Sequence, residues 1–473
     1  MRHIRSSVEV LSRSDIERIH RASLEVLADL GVEVPNETLL CRLRDVGARV
    51  EGERARLPEP LIERMLEDGV RRRRRARARS ERAVRVTNGC ETSILDYGGA
   101  SRRSGTLEDV LKGIAVTNAL DTISWAIPVV VPADVALGVA PIEAYRLGLL
   151  YSRKPFYVYL GLKQAPHLMR MGETFAEATG KARREVGLHF GFGIISPLRF
   201  AAEDLECALL VARNGWHAGC YSFVTIAASA PASMAGALVL SNAERLACLT
   251  LMWLWGEIGG YREGFVEDPC IIEPRTLATS FGHPNLTTIA VATGQLSRYY
   301  GLGTGGGGLA LSDAKSGDYQ YGFERGLGAA FCVLAGGGIG NSGIVGADET
   351  ISLEQLVIDD ASVAGLNWML RGIEVTDESL ALQVIKQVGV SGSFLDQEHT
   401  VKYLRREYWE SPIFPRLSWS DWERGGRETL LARAHREVER ILEREYPPKQ
   451  LLPDDAAKRL DEIAQQARFE LVG

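Results

Sequence analysis

The densest set of chemically capable side chains lies in GLGTGGGGLALSDAKSGDYQYGFERG, residues 301–326, where a Gly-rich turn leads into Asp313, Lys315, Asp318, Gln320 and Glu324. Glycines there let a ligand or partner approach the backbone closely. Gly-Lys-Ser/Thr is absent and the spacing does not match a dinucleotide fingerprint, so phosphate cradling is not the expected chemistry. On a helix Gln320 and Glu324 are i and i+4 and share a face, with Asp313 and Lys315 in the loop before it. Carboxylates beside an amide and an ammonium suit the orientation of a charged small molecule. The same residues also suit a solvated loop and helix start.

Aromatic residues gather near the ends of apolar runs: Tyr97, then Tyr157 and Tyr159, then Tyr221 and Phe223. Converging rings would hold a quaternary ammonium by cation–π attraction, roughly 0.5–2 kcal/mol per ring, whereas scattered rings are ordinary core. His399, in DQEHT, is read as a loop histidine reaching the site or as a helix-entry residue. The eight histidines form no HxxxH or HExxH and none pairs with Cys at ligand spacing, so no metal bound by this chain is expected. No Gly-x-Ser-x-Gly elbow supports nucleophilic hydrolysis.

These residues need a scaffold. Helical spacing is expected first: a capping box at Ser14/Glu17 with an apolar face ended by Gly31, a second helix capped by Asn36 and ended by Gly47, and a third opened by Pro58. From about residue 90 to 350, short apolar runs alternate with helical stretches at 92–96, 123–131, 157–162, 189–195, 219–226, 268–273, 299–303 and 339–345. Eight strands alternating with helices over ~260 residues match an α/β chain folded as a (β/α)8 TIM barrel, with a doubly wound sheet as the alternative. The expected division is 1–89 as a helical N-terminal extension, 90–350 as the barrel and 351–473 as a helical C-terminal extension packed on it. Capping boxes at Ser352/Gln355 and Ser420/Glu423 and stops at Gly389 and Pro447 mark that last part.

Composition bounds the reading. The 473 residues are 45% hydrophobic and 25% charged, values of a folded globular chain rather than a disordered or polytopic one. The uncharged stretch 326–347 contains too much Gly for a membrane span and is expected to be a buried helix and a buried strand. Net charge is −6, but Arg71–Arg85 holds nine Arg against one Glu, so the remainder is strongly acidic. Without interleaved aromatics this run suits a linker or an acidic protein partner better than nucleic acid. Seven scattered cysteines and no secretory signal point to reduced thiols and a cytoplasmic chain.

The sequence resembles the corrinoid-dependent trimethylamine and glycine-betaine methyltransferase superfamily over nearly its whole length. The resemblance rests on IHRASLEVLADLGVEVPNETLL near the N-terminus, SPL at 196–198, PASMAGALVLSNAERLA at 231–247, SDAKSGDYQYGFERG at 312–326, and GSFLDQEHTVKYLRREYWESP toward the C-terminus. It implies a (β/α)8 barrel that moves a methyl group from a quaternary or tertiary methylated amine to the Co(I) of a separate corrinoid protein. Cobalamin would then be carried by that partner, and this chain would need no metal of its own. No pyrrolysine is present, which places the resemblance with the betaine-like branch. By motif match it implies Asp313, Lys315, Asp318, Gln320 and Glu324 as the site, with Asn242 and Glu244 in support and His399 in a lid region. The chain departs from the family pattern at WGEIGGY, at Leu302-Gly303 and at GHPN (282–285), so the choice of amine stays open. A homo-oligomer is expected. The alternatives are a non-catalytic methylamine-binding or assembly protein, and a barrel methyltransferase with another donor or acceptor.

Overall fold

The computed structural model describes residues 8–74, 84–99, 101–255, 269–302 and 310–473. Most of the Arg run, WGEIGGY after its first residue, and the Gly run from Gly303 lie outside the described residues. Helix α1 (Arg13–Asp29) is capped by Ser12, whose hydroxyl accepts from the Asp15 amide while Asp15 accepts in return, so the capping box sits two residues before the expected Ser14/Glu17. Overlapping Ser-x-x-acid patterns allow both registers, and the structure takes the earlier one, with Leu24 and Leu27 buried. The helix stops before Gly31, at φ +73, where an added Cβ would fall 2.4 Å from the Ala55 carbonyl oxygen. Strand β1 (Val32–Glu33), helix α2 (Glu37–Asp45) capped by Asn36, strands β2 (Arg49–Glu51) and β3 (Arg54–Arg56), and helix α3 (Glu59–Arg74) after Pro58 complete the first part.

The middle of the chain runs β4 (Val86–Thr87), β5 (Ser93–Leu95), β6 (Arg102–Ser104), α4 (Leu107–Ala119), β7 (Ile123–Trp125), α5 (Ala140–Tyr151) and α6 (Ala165–Thr179). It continues through β8 (His189–Ile195), β9 (Arg199–Phe200), α7 (Ala202–Arg213), β10 (His217–Ser222), β11 (Thr225–Ile226) and α8 (Met234–Leu254). Then come β12 (Cys270–Ile272), β13 (Thr279–Ser280), α9 (Pro284–Tyr299), α10 (Tyr319–Leu334), β14 (Ile344–Val345) and β15 (Thr350–Ile351). Among the described residues the strands form four separate sheets, ordered β10-β8-β9-β1-β3-β2, β11-β12-β13, β14-β15-β5-β6 and β4-β7. The observed class is mixed α/β, without one continuous ladder.

Three expected strands differ. Run 92–96 holds β5, which is one arm of the antiparallel β5–β6 hairpin and pairs in parallel with β15, while β4 before it pairs in parallel with β7. Of run 299–303, the described residues 299–302 are the last residue of α9 and its exit, with Tyr300 and Leu302 buried and no strand formed. Run 157–162 holds no strand, and Phe156 beside it makes a single parallel bridge to Ala126.

The last part comprises α11 (Leu353–Leu370), α12 (Leu382–Val388), α13 (Glu398–Glu407), α14 (Trp419–Arg424), α15 (Leu430–Glu445) and α16 (Asp454–Val472). Ser352 caps α11 through the Gln355 amide as expected, whereas α14 is capped by Ser418 with Asp421 rather than by Ser420. Helix α15 packs on α4 and α11, and α16 on α5 and α6. One apolar cluster extends from Ile19 in α1 to Ala467 in α16. Helix α8 is the one described helix long and apolar enough to cross a membrane, and it is mostly buried inside the fold.

The expectation of reduced thiols is corrected at one pair. Cys220 on β10 and Cys248 on α8 form a disulfide, with Cα atoms 5.8 Å apart. Packing of α8 against β10 brings them together across 28 residues of sequence, a proximity that spacing does not reveal.

Candidate functional site

Asp318 caps α10: its carboxylate accepts from the Tyr321 amide and the Ser316 hydroxyl, and these bonds hold it below the usual carboxylate range. One turn later the helix turns a carboxylate inward. Glu324 accepts from the Ser312 hydroxyl at 2.6 Å and the Asp313 amide at 2.9 Å, and from the Gln320 side-chain amide at 2.8 Å. Asp313 in turn accepts from the Phe281 amide at 2.8 Å and from the Ser280 hydroxyl. The two carboxylates therefore fasten the end of β13, segment 312–313 and the first turns of α10 together. Gly282 is required for this: a Cβ there would lie 2.2 Å from Glu324 Oε2.

The inward side of α10 makes a second network. Tyr321 donates to Asp359 of α11, and the Arg325 guanidinium pairs with the same carboxylate at 3.2 Å. Asp359 also accepts from the Gln355 side-chain amide and the Gly343 amide, while Arg325 donates to the Ala310 carbonyl and the Ser342 hydroxyl. All of these side chains are buried. Burial and the neighbouring Asp359 charge push the Tyr321 phenol far above its ordinary value. The buried Oε1 of Gln355 has no hydrogen-bond partner, and a Cβ on Gly317 would fall 2.5 Å from it.

Beside this frame a pair of acids meets. Glu91 is held in parallel register with segment 129–131: its amide donates to the Val129 carbonyl and its carbonyl accepts from the Val131 amide. Asp348, in the turn after β14 at φ +66, hydrogen-bonds the Glu91 carboxyl. Burial first, and the Asp348 charge second, push Glu91 up to about 9, and burial raises Asp348 as well. The adjoining backbone is shared with the α10 frame, because the Gly346 amide donates to the Ala314 carbonyl and the Ala347 amide to the Ser312 carbonyl. Lys315, exposed, runs its stem past Gly346, two residues from Asp348.

The aromatic candidates divide. Tyr157 is edge-on to Trp125 and hydrogen-bonds Thr87, close to Cys90; burial pushes its phenol up to about 12. Tyr221 lies across Gly193, where a Cβ would be 2.6 Å from its ring. Tyr159 and Phe223 are exposed. Tyr97 is stacked on His435 of α15 at 3.6 Å, a contact that ties it to the C-terminal helices.

Glu244 is buried in α8 and accepts from the Ser196 hydroxyl, the Leu198 amide and the Ser222 hydroxyl, clamping the turn after β8 to the end of β10. Burial raises its carboxyl. Asn242 donates to Ser23 and Tyr300, joining α8 to α1 and α9 on the outer side of that helix. His399 stacks on Tyr403 within α13. Sequence reasoning missed Glu91, Asp348, Tyr321, Arg325 and Asp359, whose partners are brought to them by tertiary packing. Among the described residues no group of His, Cys, Asp or Glu is arranged to hold a metal.

A family model described as trimethylamine methyltransferase (MTTB) matches residues 1–470. A glycine betaine methyltransferase of Desulfitobacterium hafniense (strain Y51) is 26% identical over 470 residues, 97% of each chain. A trimethylamine methyltransferase MttB of Desulfitobacterium hafniense (strain DSM 10664 / DCB-2) is 25% identical over 473 residues, covering 97% of this chain and 94% of that one. The Methanosarcina barkeri monomethylamine methyltransferase structure aligns over 98% of this chain and 88% of its own at 10% identity, with a TM-score of 0.48.

Proposed function

The chain belongs to the trimethylamine methyltransferase family, and from that premise we propose that it moves a methyl group from a betaine-like quaternary or tertiary amine to the Co(I) of a separate corrinoid protein. The observation that carries the reading at the site is the Glu91–Asp348 pair, a buried carboxyl meeting an exposed one. A carboxyl that is itself poorly solvated and faces a second carboxyl keeps its proton until a cation supplies the missing counter-charge. A quaternary ammonium is such a cation.

We read the parallel segments as staves of a (β/α)8 barrel. Parallel pairings join Asn88 to Ser342, β4 to β7, Ala126 to Phe156, β8 to β10 and β11 to β12. In this reading Glu91, Tyr157 and Asp348 follow the carboxyl ends of staves, where barrels assemble their sites.

The chemistry asks little covalent work of the protein. Cobalt(I) of the corrinoid protein is the acceptor substrate and supplies the nucleophilic electron pair. As the methyl carbon–nitrogen bond breaks, its pair stays on nitrogen, so a quaternary substrate leaves as a neutral tertiary amine without a proton donor. Glu91 and Asp348 would draw the cation in, Tyr157 would offer an electron-rich face, and Lys315 would pair with a substrate carboxylate. Gln320, fixed by Glu324, would orient the bound amine. Asp318 acts as the helix cap that places Gln320.

The test is methyl transfer. The protein is mixed with its amine panel (glycine betaine, choline, carnitine, trimethylamine) and a reduced corrinoid, and conversion of Co(I) to methyl-Co(III) is followed by absorbance. Saturable conversion with one methylated amine is expected; no methyl-cobalt from any of them would overturn the proposal.

A further inference from the structure

Two apolar surfaces of this chain face solvent. The first is a stripe on α10: Tyr319, Phe323, Leu327 and Phe331, each four residues from the next, are all exposed, Tyr319 by 86%. Gly322 and Gly326 lie beside the stripe with open space where a Cβ would be, leaving a shallow notch. The only charged residues of α10 are Glu324 and Arg325, and both are turned toward partners in the fold, Ser312 and Asp359. The outer face is therefore uncharged.

The second surface is an arm. After α11 the chain leaves the body at Gly372 and returns at Trp409, which packs beside Gly365, and at buried Ile413. Between them α12 and α13 have no buried residue, and neither packs extensively against another described element. Ile373, Val390, Leu395, Val401 and Leu404 are 62–99% exposed. Helices of 7 and 10 residues do not hold their shape alone in water; tertiary or quaternary packing must supply what local propensity does not.

We propose that the α10 stripe is covered by the 372–408 arm of a second copy of this chain. Each copy carries both bare surfaces, so a two-fold exchange covers all of them at once. The arm offers on the order of 1,000 Å² of surface, and a reciprocal exchange reaches the ~2,000–5,000 Å² of permanent homodimers. A partner that docks and leaves with each turnover would uncover both surfaces every time. Depletion of charge on the stripe is also what the centre of a permanent interface requires. Because Gln320 and Glu324 stand on the first turns of α10, the neighbouring copy would sit at the edge of the site. The inference does not depend on which amine is bound.

Size-exclusion chromatography with light scattering on the full chain tests it. Wild type is expected as a dimer or a larger assembly. Leu395→Asp with Val401→Asp, or Phe323→Asp with Leu327→Asp, is expected to give a smaller species whose far-ultraviolet circular dichroism loses no more than the helical signal of α12 and α13. Where an Asp variant fails to fold, a second measurement decides: Leu327→Cys in one tagged copy and Val401→Cys in a differently tagged copy are expected to cross-link between chains on oxidation. A monomeric wild type, an assembly that survives both variant pairs, or absence of the inter-chain cross-link would overturn the proposal. Loss of corrinoid-protein binding by the Phe323 variant at unchanged assembly mass would overturn it too, and would give the stripe to that partner.

Discussion

The carboxyls of Glu91 and Asp348 are hydrogen-bonded to each other, one at the end of a parallel segment and the other in the turn after β14. Neither element alone explains an acid pair in that place. Glu91 is buried to within 9% of full coverage, and a like charge beside it makes its ionised form costly in the absence of a cation.

Stability should record this. A carboxyl raised to about 9 in the folded chain contributes stability that is complete below the ordinary Glu range and is lost as pH climbs toward 9. Glu91→Gln should remove that decline, with a gain on the order of 2 kcal/mol at pH 7 and little change at pH 4. Urea denaturation of both proteins at pH 4, 7 and 9 measures it; parallel pH profiles would contradict the assignment.

Glu244 is a clamp for the turn after β8 and should behave as one. Glu244→Ala leaves the donors at Ser196, Leu198 and Ser222 without their acceptor and is expected to cost about 3 kcal/mol. Glu244→Gln, which keeps one acceptor oxygen, should recover part of the loss in the same denaturant titration.

Asp359→Ala should be more damaging. It strands the buried Arg325 guanidinium and removes an acceptor from Tyr321, Gln355 and Gly343, so a loss of roughly 3–5 kcal/mol is expected. Thermal unfolding reads it, and a melting temperature near wild type would show that the Ala310 carbonyl and the Ser342 hydroxyl suffice for Arg325 without the counter-charge.

Gly282→Ala tests whether Glu324 must stay where it is. The new methyl would displace that carboxylate, so methyl transfer should fall roughly 10- to 100-fold, while Gly338→Ala, with open space at its Cβ, should leave the rate unchanged. Gln320→Ala and Glu324→Ala in folded protein should also lose the transfer.

The legible parts were those written in local chemistry. Asn36, Pro58, Ser352 and Gly389 mark helix boundaries through caps and stops that need no tertiary information. The α10 start was legible too, since Asp318, Gln320 and Glu324 fall on a helix whose spacing fixes their relation. Strand identity was harder: RYYGL reads as an apolar run whether it ends a helix or forms a strand, and the packing of α9 decides it. Long-range partners were invisible. Asp348 meets Glu91 across more than 250 residues, Tyr97 is taken up by His435, and Cys248 reaches Cys220 through the α8–β10 contact.

Calorimetric titration with glycine betaine at pH 7, in buffers of different ionisation enthalpy, tests the central claim most directly. The account predicts saturable binding accompanied by proton release, because the cation converts a shared-proton acid pair into a carboxylate pair, and Glu91→Gln should abolish that release. Absence of binding by glycine betaine, choline, carnitine and trimethylamine alike, or binding with no proton exchange in the wild type, would contradict it.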